Sequence, residues 1–280
     1  MSFDGAAGLQ RLAWAQTPSG ARPERSRRVR RPRFIGPQLT TTFVQSSPRC
    51  NLPTVTEASS ALRSFFLNGP AGQLEALLNP GLATATHAAL VCHPHPVYGG
   101  TLHNKVVFHA MKALNGFGFP VLRFNFRSAG LSHGEHAHGH GEVDDVRTAL
   151  DWLDQEFHLP LVFAGFSFGA AVGLRVACPD SRVKAAISLG TPISPVDDRS
   201  YDYSFLGTCT KPKLFVSGSR DQFASKAKLE VLIAPLPEPK KLVIIEAADH
   251  FFEGRLREMR EAIVQWVPRA LGVEVTTDSL

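Results

Sequence analysis

The sequence predicts an α/β fold: one mostly parallel sheet of about eight strands with helices packed on both faces. Three observations carry that expectation. From residue 60 onward, short apolar runs alternate with longer amphipathic stretches. Several of the short runs, such as Leu161-Val162-Phe163-Ala164 and Leu242-Val243-Ile244-Ile245, are apolar without alternation, as strands buried on both faces must be. The connections are short, so the alternation runs to the C-terminus with no obvious second domain.

Strands are expected at 62–67, 73–78, 88–93, 120–126, 161–166, 183–189, 213–218 and 241–246, each a short run rich in Val, Ile, Leu, Phe or Ala between turn-forming residues. Helices are expected at 103–116, 143–157, 168–177, 222–234 and 254–270. In the second of these, Val143, Val146, Leu150, Leu153 and Phe157 recur at spacings of three and four, which places them on one face toward the sheet.

The folded domain is expected to span 56–272, with a short tail at 273–280. Residues 1–55 are rich in Arg, Pro, Ser, Thr and Gly and have no sustained period, so they offer little apolar surface to offset the entropy of ordering and read as a disordered tail. The charge supports this division. The chain of 280 residues carries +5 overall, but the first 50 hold nine arginines against only Asp4 and Glu24, which leaves the folded part slightly acidic. The basic footprint of a nucleic-acid binder is therefore absent where the fold is. No apolar run approaches the length needed to cross a bilayer and no charged-then-apolar leader opens the chain, so a soluble, cytoplasmic protein with no membrane partner is expected. Cys50, Cys92, Cys178 and Cys209 lie far apart and read as reduced thiols, Cys92 and Cys178 as small buried hydrophobes. Nothing in the sequence sets an oligomeric state.

Gly165-Phe166-Ser167-Phe168-Gly169 follows an apolar strand and opens a helix of small residues. This is the pattern of a nucleophile elbow, where a serine stands at the apex of a turn so sharp that only small residues fit two positions to either side. A serine hydroxyl is a weak nucleophile at neutral pH, and it needs a base to take its proton and an acid to hold that base in the right tautomer. Asp221, just past the strand ending at Gly218, and His250, just past the next strand, follow in the order Ser, acid, His, and both fall on the same sheet edge as the elbow. Asp197, Asp198, Asp202 and Asp249 are the rival acids. The first three precede the relevant strand, and Asp249 adjoins the histidine.

Acyl transfer also requires backbone N–H donors for the developing oxyanion. Phe168, after the nucleophile, is one candidate. The other comes from the loop His93-Pro94-His95-Pro96-Val97-Tyr98-Gly99-Gly100, where proline has no N–H; His95 is expected to donate, with Val97 or Tyr98 as alternatives. Histidines 133, 136, 138 and 140 sit in a Gly-rich loop without a fixed ligand face, and a serine mechanism uses no metal, so neither a metal nor a cofactor is expected. Glu142, Asp144 and Asp145 are expected to favour the positive end of the helix that follows.

From about 60 to 270 the chain resembles the compact bacterial α/β-hydrolases related to dienelactone hydrolase. The resemblance rests on His93-Pro94-His95-Pro96 with Gly99-Gly100, Asn104-Lys105, Leu122-Arg123-Phe124-Asn125-Phe126-Arg127, the elbow, and Ala248-Asp249-His250-Phe251-Phe252. It implies an α/β-hydrolase fold and carboxylesterase-type activity on a small-molecule ester, with Ser167, Asp221 and His250 as nucleophile, acid and base. Dienelactone hydrolases themselves use cysteine, so Ser167 argues against that reaction. The chain departs from the family where Ser128-Ala129-Gly130 replaces Gly-x-Gly after Arg127, and in its histidine-rich loop. Only about 20 residues, 191–211, separate two strands where many relatives insert a helical cap, so no large cap domain fits. Tyr201, Tyr203 and Phe205 in that segment either rim the substrate pocket, with Tyr98 and Phe251, or pack plainly. Acyl transfer, thioester or amide cleavage would use the same residues, and a non-catalytic module on this fold is the reading from another class.

Overall fold

A computed structural model describes residues 61–194 and 200–273. The expected arginine-rich tail, Cys50, Asp197, Asp198 and nearly all of the C-terminal tail lie outside the described residues.

The elements in chain order are β1 (Arg63–Gly69), β2 (Gly72–Asn79), β3 (Ala88–Cys92), α1 (Lys105–Asn115), β4 (Val121–Phe124), α2 (Glu142–Phe157), β5 (Leu161–Phe166), α3 (Phe168–Ala177), β6 (Val183–Leu189), β7 (Lys213–Gly218), α4 (Lys226–Ile233), β8 (Lys240–Ile245) and α5 (Leu256–Leu271). The eight strands form one sheet in the order β1-β2-β4-β3-β5-β6-β7-β8. The β1/β2 and β2/β4 pairs are antiparallel, and every later pair is parallel.

Apolar side chains from alternate strand positions build a core on each face. One cluster joins the sheet to α2, α3 and α4 through Val146, Leu150, Leu153, Phe168, Val172, Leu229 and Ile233. The other joins it to α1 and α5 through Val107, Met111, Leu114, Met259, Ile263 and Val267. The central strands β3, β4 and β5 are buried at every residue, which is why β3 and β5 read as unbroken apolar runs, whereas β4 carries the buried Arg123, whose guanidinium donates to Leu102 O and Asn79 Oδ1. Cys92, on β3, and Cys178, at the end of α3, are both buried in the cluster on the α2–α3–α4 face. No helix among the described residues is long and apolar enough to cross a membrane.

Most element ends fall within two residues of expectation, and local hydrogen bonds account for three of the differences. β3 stops at Cys92 and β4 at Phe124, since the Phe126 N–H donates to the His93 ring (2.9 Å) and the Asn125 N–H to the Glu75 carbonyl (2.8 Å). The helix expected from 222 starts at Lys226. Asp221 Oδ1 accepts the Phe223 N–H (2.8 Å) and holds 221–223 in a turn, and Ser225 then caps the helix.

The chain runs from β3 outward to β4 and then crosses back over β3 to β5. The strand order therefore reverses between β3 and β5, the crevice where open α/β sheets place their sites. Cys92 pairs with Gly165, so the loop after β3 and the elbow after β5 leave the sheet side by side.

Candidate active site

Ser167 joins β5 to α3 with φ 54° and ψ −118°, a conformation that costs an L-residue about 1–3 kcal/mol. Its neighbours hold it there. The Ser167 N–H donates to Leu189 O (2.9 Å), and its own carbonyl accepts from the N–H groups of Ala170 (2.9 Å) and Ala171 (3.0 Å). The flanking glycines answer a demand for space. A Cβ on Gly165 would stand 2.6 Å from Gly169 O, and one on Gly169 would stand 2.4 Å from His93 O.

The structure brings Ser167, Asp221 and His250 together. His250 Nε2 lies 2.9 Å from Ser167 Oγ, and its Nδ1 lies 2.9 and 3.0 Å from the two Asp221 oxygens. A carboxylate can only accept, so Nδ1 carries the proton and Nε2 is left to accept from the serine hydroxyl. Asp221 also accepts from Ser217 Oγ (3.0 Å) and from the Phe223 N–H (2.8 Å), so its carboxylate is buried but well supplied with donors. The imidazole is buried among the rings of Phe166, Phe223 and Phe251, at centroid distances of 5.0, 4.4 and 5.3 Å. Gly190, with φ +52°, leaves the space beside it.

The rival acids described are occupied elsewhere. Asp249 Oδ1 accepts the N–H groups of Phe251 (3.1 Å) and Glu253 (2.9 Å) in a local turn. Asp202 accepts the Ser204 N–H and hydroxyl, both at 2.8 Å, on an exposed turn.

Phe168 and His95, the two candidate oxyanion donors, are neighbours, with ring centroids 4.7 Å apart. His95 precedes a short 3₁₀ turn, Pro96–Tyr98, and its carbonyl accepts the N–H groups of Tyr98 (3.2 Å) and Gly100 (3.0 Å), which folds the loop back on itself. Tyr98 packs on the His95 ring at 4.8 Å and remains partly exposed.

The side chain of His93 has a role that the sequence did not reveal. It is fully buried: Nε2 accepts the Phe126 N–H, so Nδ1 bears the proton and donates to Pro94 O at 2.6 Å. Burial pushes its pKa down to about 4, which keeps the ring neutral. His93 thus ties the start of the β3 loop to the end of β4. Its partner lies 33 residues away, beyond the reach of any local motif.

The histidine-rich loop is fastened from below. Glu142 stands in the first turn of α2, as expected, and its fully buried carboxylate also accepts the N–H groups of Ala137 and Gly139, both at 2.8 Å, and lies 2.8 Å from His136 Nδ1. Asp145 likewise forks onto Arg127 through Nε and a terminal nitrogen at 2.6–3.1 Å. Asp144 and Asp145 also lie in the first turn, Asp144 half-exposed and paired with Arg147. His136 packs between His95 and His138, and among the described residues no three His, Cys, Asp or Glu side chains converge as metal ligands. At the family departure, Ser128 adopts φ +68°, the left-handed conformation that glycine takes without strain.

The aromatic rim expected at 201–205 is corrected at Tyr203. That ring is buried in the core on the α2–α3–α4 face, and its hydroxyl donates to Pro192 O (2.8 Å). Tyr201 and Phe205 are partly buried against the same cluster, because a short capless segment gains most by laying its rings on the core beneath it. Phe251 remains beside His250.

A family model described as an alpha/beta hydrolase domain matches residues 98–268, more than half of the chain, and spans Ser167, Asp221 and His250. The chain belongs to the α/β-hydrolase family. Among relatives, this α/β-hydrolase is 35% identical over 209 residues to an uncharacterized protein of Rickettsia prowazekii, covering 71% of this chain and 86% of that one. It is similar to an alpha-beta serine hydrolase homologue from Coxiella burnetii (TM-score 0.65, 35% identity, 72% of this chain and 96% of that one). It is also similar to an α/β serine hydrolase without lid from Xanthomonas campestris (TM-score 0.68, 31% identity, 78% of this chain and 98% of that one). Among the described residues no lid domain is present: those between β6 and β7 form only a 3₁₀ turn, Ser204–Thr208.

Proposed function

We propose that this α/β-hydrolase is a serine hydrolase that cleaves carboxylic esters of small or short-chain acids through an acyl-enzyme. One observation carries the reading: a single imidazole stands 2.9 Å from the Ser167 hydroxyl on one side and 2.9 Å from the Asp221 carboxylate on the other. Ser167 attacks the ester carbonyl and His250 takes its proton. Asp221 holds the imidazole in the receiving tautomer and stabilises the imidazolium that forms. The N–H groups of Phe168 and His95 stabilise the oxyanion. His250 then gives its proton to the leaving alcohol, and a water activated by the same imidazole hydrolyses the acyl-enzyme. The similar proteins of Coxiella burnetii and Xanthomonas campestris are described as serine hydrolases, which supports the class. The short connection between β6 and β7, with no lid among the described residues, favours small esters, since long acyl chains need apolar cover to bind well.

Ser167→Ala tests the reading. Hydrolysis of p-nitrophenyl acetate or butyrate and labelling by a fluorophosphonate are both expected to disappear while the far-UV circular dichroism is unchanged. Undiminished turnover in that variant would overturn the nucleophile assignment, and activity that rose steadily to C16 esters would overturn the substrate class.

A further inference from the structure

Two of the buried thiols lie side by side on the core face that carries α2, α3 and α4. Cys178 closes α3 and Cys209 ends the 3₁₀ turn before β7. Their side chains are hydrogen-bonded to each other, although the chain between them runs through β6 and the aromatic segment. Lysines beside Cys209 fix the approach. Lys211 Nζ donates to Ala177 O (2.8 Å) and to Asp180 O, carbonyls that bracket Cys178, and the buried Lys213 donates to Pro237 O (2.7 Å). The Cys178 S–H donates to the Cys209 sulfur, which also accepts the Lys211 N–H. The Cys178 hydrogen bond, with lesser help from that N–H and the two ammonium groups, holds the Cys209 thiol below its ordinary range against the cost of burial. The hydrogen bond that it gives, and then burial, push the Cys178 thiol up. One sulfur is thus favoured as a thiolate, and a protonated partner touches it.

We infer that Cys178 and Cys209 form a site of reversible oxidation, closing to a disulfide with a peroxide and reopening with a dithiol reductant. The Cys209 thiolate attacks one oxygen of hydrogen peroxide and the O–O bond breaks. The leaving hydroxide takes up the proton that Cys209 released and departs as water, which leaves a sulfenic acid. The Cys178 sulfur then attacks the sulfenic sulfur; the S–O bond breaks, and a second water leaves with the Cys178 proton. Two thiols give up two electrons, and one peroxide becomes two waters. A small oxidant reaches the pair because Cys209 lies directly beneath a surface turn, between the exposed Thr208 and Thr210. The bond joins the far end of the elbow helix to the start of β7 and closes a loop of about 30 residues, which restricts the unfolded chain. Cys178 stands about 16 Å along α3 from Ser167, so the link leaves the catalytic residues in place.

The test compares the full-length protein treated with a few equivalents of hydrogen peroxide against the same protein kept in dithiothreitol. Non-reducing peptide mapping by mass spectrometry and thermal melts are read in both states, and neither depends on esterase activity. Oxidation is expected to join the peptides carrying Cys178 and Cys209 and to raise Tm by about ten degrees, and dithiothreitol to reverse both. Cys178→Ala and Cys209→Ala are each expected to abolish the cross-link and the gain in Tm, and Cys92→Ala to keep them. Should an alanine variant fail to fold, the wild-type peptide map still decides. Oxidation that leaves Cys178 and Cys209 unlinked, that stops at a sulfinic acid on Cys209, or that links them without raising Tm would each overturn the inference.

Discussion

Gly190 and His250 are packed so closely that a side chain at position 190 would push on the ring: a Cβ there would stand 3.0 Å from Cε1 and 3.1 Å from Nδ1 of the imidazole. The same residue holds φ +52°, which costs other residues about 1 kcal/mol. Gly190→Ala is therefore expected to displace the ring from Ser167 and Asp221 and to lower kcat/KM about ten- to a hundredfold, with a modest loss of stability. Steady-state kinetics beside a thermal melt read both effects; unchanged kcat/KM would mean that the ring tolerates displacement.

Asp221 receives three donors: the Ser217 hydroxyl, the Phe223 N–H and His250 Nδ1–H. In Asp221→Asn the amide brings donors of its own into that set, which favours the imidazole tautomer with its proton on Nε2, facing Ser167. Turnover is expected to fall about ten-thousandfold with little change in fold. A loss of less than tenfold in kcat would show that Asp221 does not orient the base.

His93 links stability to pH. Its folded pKa, about 4, lies below the unfolded value of 6.5, so the unfolded chain binds the proton more readily between those values. Its contribution is fully present above about pH 6.5 and is lost as the pH falls through the folded value, with a total on the order of 3 kcal/mol. Urea unfolding at pH 7, 6 and 5 should show stability declining over that window. His93→Gln, which cannot titrate, should show a shallower decline; equal slopes in the two proteins would contradict the assignment.

Ser128 bears a left-handed backbone strain that glycine would not. Ser128→Gly is expected to stabilise the fold by about 1 kcal/mol, raising Tm by a few degrees. A lowered Tm would show that the Ser128 side chain contributes more than the strain costs.

Much of the site was legible in the linear order because each residue follows a strand whose apolar run marks its end. Glycines two residues either side of Ser167 signal the elbow, and Asp221 and His250 stand three and five residues past β7 and β8. Long-range partners were not legible. The histidine ring that ties the β3 loop to β4, the buried carboxylate of Glu142 beneath 137–139, and the turn that delays α4 to Lys226 all depend on hydrogen bonds made after the chain has folded. The Tyr203 ring illustrates the same limit, since an aromatic run reads alike whether it faces a pocket or a core.

The sequence by itself determined the alternation of strands and helices, the burial of the central strands, the elbow and the order of its three chemical residues. Each of these is written in local periodicity or in position relative to a strand end. Tertiary structure alone decided what holds the loop beside the elbow and where the aromatic segment lies. Those outcomes depend on distances between residues remote in the chain, which only the register of the sheet and the packing of its two faces bring within hydrogen-bonding reach.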